Sequence, residues 1–293
     1  MPLADRADFV LPPFTRLAWA GEPARRAWQE PLLGVLAAWE AVQREAVRVG
    51  MRQASLFSVP LERLDEHAGA SEAAGLTVVP LGVDVTPPAP LAGAQAAVSL
   101  RVACCASGTE HAFAAAWRAG DEGAVAEALG VPACCLAAFR GWREDGVLDP
   151  TPLIAAAPAN EDAQVEGHPE CNVLWRRAGL RALHYLPCSW ECAASRVAGR
   201  AHRELARALG LGAEGDLLLE LLGWPVEWSS LHGISELRTP VFKVVARADA
   251  TLGKHTVRWA GSAYPAGAPT GHAFPYLLAP HTRARPRPRA GAA

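Results

Sequence analysis

The stretch EWSSLHGISELRTPVFKVVARADA, residues 227–250, decides the fold class of this chain. Its texture is that of β-strands, as is that of KHTVRWAG at 254–261, and the change sets in at Trp224. Upstream the dominant period is helical. In PARRAWQEPLLGVLAAWEAVQREAVRVG (23–50), Trp28, Leu32, Leu33, Leu36, Trp39, Val42 and Val47 recur at helical spacing before Gly50, which predicts a long amphipathic helix. ASLFSVP (54–60), GLTVVPLGV (75–83) and AQAAVSLRVACCAS (94–107) have the short Val- and Leu-rich character of strands, with TPPAP (86–90) as a breaker. Helical segments follow at 110–120, 122–130, 133–142, 172–179 and 192–210. The expected class is therefore α+β: a helix-rich region with short strands, followed by a smaller β-rich C-terminal part.

The expected organisation is an N-terminal helix and α/β segment over 1–100, a cysteine-bearing helical region over 101–223, and a β-rich part over 224–278 packed on it. HTRARPRPRAGAA (281–293), where Arg alternates with Pro and Ala, reads as part of a disordered tail over 279–293 that could touch an acidic partner. With 293 residues, 51% of them hydrophobic, the chain can bury a full-sized core without covalent staples. Lys+Arg 28 against Asp+Glu 30 leaves a net charge of -2, which gives no basis for general nucleic-acid binding. The opening MPLADRADFVLPPF does not read as a signal peptide, and no uncharged apolar run approaches the roughly 18 residues of a membrane span. A cytoplasmic, non-membrane protein is expected.

In a reducing compartment cysteines serve metal binding, catalysis or burial rather than disulfides. All seven lie between residues 104 and 192. In GVPACCLAAF (130–139), GHPECNVLW (167–175) and LPCSWECAA (186–194) a proline stands just ahead of a cysteine and a helical pattern follows, which predicts three helix heads that each offer sulfur. Helix heads favour thiolates and anionic thiolate centres. If 188–192 is helical, Cys188 and Cys192 share one face about 5 to 6 Å apart at Cβ. Cys134, Cys135, Cys171, Cys188 and Cys192 are thus the expected metal ligands. In the tandem pair one cysteine can ligate while the other packs or meets a substrate.

Thiolates without an obvious histidine suit zinc or a [4Fe–4S] cluster. Zinc knuckles are usually paired and sit on turns, whereas one pair on a helix favours iron–sulfur. The expected cofactor is therefore a [4Fe–4S] cluster, with zinc as the alternative and a thiol redox couple of Cys134 and Cys135 as a further one. Cys104 and Cys105 read as core, because strand alternation sends them to opposite faces.

LGVPACCLAAFRGW (129–142), HYLPCSWECAAS (184–195) and WPVEWSSLHGISELRTPVFKVVARADAT (224–251) together resemble a bacterial family of uncharacterised proteins with LG-x-P-x-C-C, P-C-S-x-x-C and G-I-x-E-x-x-T-P segments. The likeness spans roughly residues 101–276. It implies that the three segments work together, and it implies no activity.

Among other polar groups, His184 precedes the Cys188 segment, and His232 and Glu236 stand four apart in LHGISE, a spacing that suits an acid/base pair or a metal site. These three are the candidate catalytic residues, although a simply hydrogen-bonded His184 and a solvated face at 232–236 are the more ordinary explanations. Glu161, Asp162, Glu166 and Glu170 read as a solvated acidic loop, with Glu170 able to support Cys171. The chain has no G-x-G-x-x-G after a strand, no G-x-x-x-x-G-K-[ST], no G-x-S-x-G and no H-E-x-x-H. Position 195 is Ser195, so the C-x₃-C-x₂-C triplet of radical enzymes that bind S-adenosylmethionine is incomplete. Two classes remain: an iron–sulfur enzyme doing redox or Lewis-acid chemistry on a small molecule or modified peptide, and a zinc-braced scaffold that presents a surface to a protein partner.

Overall fold

The computed structural model describes residues 14–84, 91, 98–147, 150–156, 164–231, 233–247 and 255–262. Its strands are β1 (Thr15–Trp19), β2 (Ala54–Pro60), β3 (Leu76–Asp84), β4 (Ser99–Ala106), β5 (Gln164–Val165), β6 (Val226–Leu231), β7 (Ile234–Arg238), β8 (Phe242–Arg247) and β9 (His255–Trp259). The helices are α1 (Glu22–Arg48), α2 (Leu64–Ala73), α3 (Glu110–Ala119), α4 (Glu122–Ala128), α5 (Ala133–Glu144), α6 (Thr151–Ala156), α7 (Ala193–Ala208) and α8 (Gly212–Leu222). Short 3₁₀ turns cover Leu61–Arg63, Pro169–Cys171 and Leu174–Ala178. The fold is α+β with a strand-rich C-terminal part. Among the described residues no helix is long and apolar enough to cross a membrane.

The C-terminal strands form a six-stranded sheet in the order β1-β8-β7-β6-β9-β5. All neighbours are antiparallel except β5 and β9. Alternation sorts the faces. Trp228, Leu237, Phe242, Val244, Val257 and Trp259 enter the main core, which also takes Leu32, Val35 and Trp39 of α1, Trp175, Trp190, and Leu218, Leu221 and Leu222 of α8. The side chains between them form ion pairs: Glu227 with Arg238 and Arg258, and Glu236 with Arg238 and Lys243. Sequence reasoning missed β1, which pairs with β8 and so ties the N-terminal part to the C-terminal sheet.

A second sheet, β2-β4-β3, is antiparallel throughout, so β2 and β3 run parallel with β4 between them and α2 as their crossover. One face packs Phe57, Val59, Val102 and Cys104 with Val47 of α1. The other packs Ala54, Ala103 and Cys105 with Phe113 of α3 and Ala128 of α4. Cys104 and Cys105 therefore face opposite ways, both fully buried, as strand alternation requires. The organisational boundary expected at residue 100 falls inside β4. The 27-residue α1, roughly 40 Å long at helical rise, reaches both cores. The tail at 279–293 lies outside the described residues.

Candidate metal centre

Three chain segments deliver the cysteines. Pro132 caps α5 and has the fixed φ that suits this place, so Cys134 and Cys135 fall in the helix's first turn. The second segment differs from expectation: residues 188–191 form a turn, not helix, and α7 begins only after Cys192, its N-cap residue. The C-x₃-C pair is thus a knuckle closed by the Cys192 N–H donating to the Ser189 carbonyl at 3.4 Å. The physical cause lies in Pro187 and Ser189, which favour turn geometry over helix. The third segment, the 3₁₀ turn Pro169–Cys171, ends on Cys171.

Two glycines let these segments close on one another. The Gly167 hydrogen points at the Trp190 backbone, where a Cβ would lie 2.6 Å from the carbonyl oxygen. Next to it the His168 N–H donates to that same oxygen at 3.0 Å. Gly199 of α7 meets the Glu170 side chain so closely that a Cβ would fall 2.7 Å from the Glu170 Cβ. Only a residue without a side chain fits either contact.

The result is a four-sulfur group. The Sγ atoms of Cys134, Cys135, Cys188 and Cys192 all lie within 4.8 Å of one another. Cys134 and Cys135 are 3.9 Å apart, Cys134 and Cys192 3.8 Å, and Cys135 and Cys192 3.7 Å. Cys171 stands beside the group, packed on Cys135 and Cys192, and its thiol donates to the Cys192 carbonyl at 3.7 Å. Cys135, Cys171 and Cys192 are buried, Cys188 is half-buried and Cys134 is exposed. No histidine belongs to the group.

Electrostatics separate the sulfurs. Burial pushes the Cys135 thiol up, against the opposing effect of the Ser195 hydroxyl, 3.3 Å from its sulfur, and of the Cys188 N–H. Burial also raises Cys171 to about 12 and Cys188 to about 11. Burial opposes ionisation of Cys192 too, but there it is outweighed by hydrogen bonds from the Ser195 hydroxyl and N–H and from neighbouring thiols, which bring the thiol down to about 7. Ser195 sits one helical turn after Cys192, so the residue that breaks the radical-enzyme triplet stabilises the thiolate instead. Its i+3 spacing from Cys192 was the signal that could have revealed this role. The N-termini of α5 and α7 both converge here, and their unpaired N–H groups offset the negative charge of a thiolate set.

Of the candidate catalytic residues, His184 and Glu236 are described, and neither belongs to the sulfur group. The His184 Nδ1 accepts from Arg52 Nη1 and its Nε2–H donates to the Leu129 carbonyl at 2.6 Å. Burial first, then the Arg52 charge, holds this imidazole neutral, well below the ordinary histidine range. Glu236 lies on β7, where its carboxylate meets Arg238 at 2.9 Å and Lys243 at 3.0 Å. Those cations outweigh partial burial and keep it ionised. His232, and Glu161 and Asp162 of the acidic loop, lie outside the described residues. Glu170 is buried next to Cys171 and faces Arg200 at 3.5 Å.

Fold and site together define an α+β protein with a four-cysteine group that can hold a metal. No family model, curated protein or solved structure matches the chain.

Proposed function

We propose that this is a metal-binding protein in which Cys134, Cys135, Cys188 and Cys192 hold one tetrahedral ion, zinc, that fastens the head of α5 to the knuckle and head of α7. The observation that carries this reading is the sulfur spacing of 3.7 to 3.9 Å. A tetrahedral ion with metal–sulfur bonds of about 2.3 Å sets its ligands about 3.8 Å apart. In a [4Fe–4S] cluster each thiolate binds its own iron, and the sulfurs stand farther apart, roughly 6 Å. A knuckle on a turn also suits zinc better than the helical pair anticipated from the sequence. The hydrogen bonds from Ser195 and from the Cys188 N–H supply the outer support that thiolate sites need.

A structural role fits the rest of the molecule better than an enzyme. His184 has both nitrogens engaged and Glu236 is held in ion pairs, so neither is poised for proton transfer. The iron–sulfur reading draws its support from Cys171, a fifth sulfur in contact with the group.

Metal analysis of anaerobically purified protein decides between them. The zinc reading requires colourless protein with about one zinc per chain and no acid-labile sulfide, and loss of that zinc in Cys135→Ser and Cys192→Ser. Brown protein with iron and sulfide would replace zinc by the cluster. Protein free of both would return the cysteines to the core.

A further inference from the structure

A cleft opens beside the sulfur group, walled by residues 170–173 and 176 and by residues 181–187. Cys171 and Tyr185 belong both to this wall and to the packing around the sulfurs. The charge of the cleft is the unusual feature. Arg176 and Arg181 both line it, close enough to repel each other. Arg181 also repels the buried Arg52 and helps to disfavour protonation of His184.

Two of these charges, on Arg52 and Arg181, meet no carboxylate among the described residues. Arg52 is 6% exposed, yet its guanidinium donates only to the neutral groups Ser55, Gln43 and His184. The single carboxylate on the wall, Glu170, faces Arg200. Arg181 is exposed to the cleft, and among the described residues no hydrogen-bond acceptor or carboxylate meets it. Arg176 keeps one nitrogen on the Thr151 hydroxyl at 3.1 Å, which orients it. Gathering like charges in a partly desolvated cleft costs energy unless an anion completes it.

We infer that the cleft binds a small ligand through an oxyanion group, a phosphate or a carboxylate, with Arg181 as its principal contact and Arg176 as the second. A guanidinium fork matches either anion bidentately, which a lysine cannot do. His184, neutral and held by Arg52, gives the site a fixed uncharged wall. The inference is independent of which metal the sulfurs hold.

The test uses the full-length protein as purified, titrated by calorimetry with inorganic phosphate and, separately, with succinate at constant ionic strength. One of the two should bind saturably with one-to-one stoichiometry, and which one does so identifies the oxyanion. Arg181→Gln should weaken that binding at least tenfold and Arg181→Lys by less, while Arg25→Gln on the exposed face of α1 leaves it unchanged. Modification of wild-type arginines by phenylglyoxal, read by mass spectrometry, gives a second measurement free of folding effects: the bound anion should protect Arg181. Failure of both anions to saturate, wild-type affinity in Arg181→Gln, or no protection of Arg181 would each overturn the inference.

Discussion

Zinc loading at pH 7 should release at least about two and a half protons per ion. A metal–thiolate site needs its ligands deprotonated, so every thiol that is still protonated in the metal-free protein gives up a proton on binding. Burial keeps Cys135 protonated well above neutral pH and lifts Cys188 to about 11, so each contributes one. Cys192, at about 7, is half ionised and contributes about half. Apparent zinc affinity should then fall by roughly 300-fold or more for each unit of pH lost near neutrality. The assay is calorimetry at pH 7 in a series of buffers of different ionisation enthalpy, where the slope of observed heat against buffer enthalpy gives the proton number. Fewer than about one proton released would mean that zinc binds at histidines or carboxylates elsewhere, and the four-thiolate reading would fall.

Gly199→Ala should destabilise the protein by about 1 to 3 kcal/mol in thermal melts and weaken metal binding, because its new Cβ meets the Glu170 Cβ at 2.7 Å and drives the Cys171 turn from α7. Leu237→Ala, in the core face of β7, should cost about 2 to 5 kcal/mol by chemical denaturation and leave metal content unchanged, since it packs in the main core and not among the cysteines. Cys104→Ala and Cys105→Ala should also leave metal content unchanged, because each packs in a core of the β2-β4-β3 sheet. Burial holds His67 and His202 at about 4, so the unfolded chain takes up protons that the native chain refuses. That stability is full above the ordinary histidine value of about 6.5 and is lost as pH falls from there toward 4, by several kcal/mol in total. Urea melts across this range should show the loss, and His202→Phe should reduce the pH slope by about one proton.

The sequence by itself determined the elements whose period is long enough to read. The stripe from Trp28 to Val47 specifies α1, alternation around Trp228, Leu237 and Val244 specifies the C-terminal strands, and the same rule sends Cys104 and Cys105 to opposite faces. It also singled out the sulfur-bearing segments, since a proline before each cysteine is local information. What only the tertiary structure decided depends on partners distant in the chain. The five-residue β1 and two-residue β5 are too short to carry a period, and they are strands because β8 and β9 offer them unpaired edges. Cys134 and Cys135 join Cys188 and Cys192 rather than Cys171 because Val131, Tyr185 and the two close-contact glycines set how α5, the knuckle and the Pro169–Cys171 turn pack. Whether Cys188 and Cys192 share a helix or span a turn was set locally, by Pro187 and Ser189, but the closeness of their sulfurs to those of α5 came from that packing. Arg52 and Arg181 carry no sequence signal. The first is a buried cation among neutral partners and the second an unmatched one in a cleft, and both descriptions exist only once the chain has folded around them.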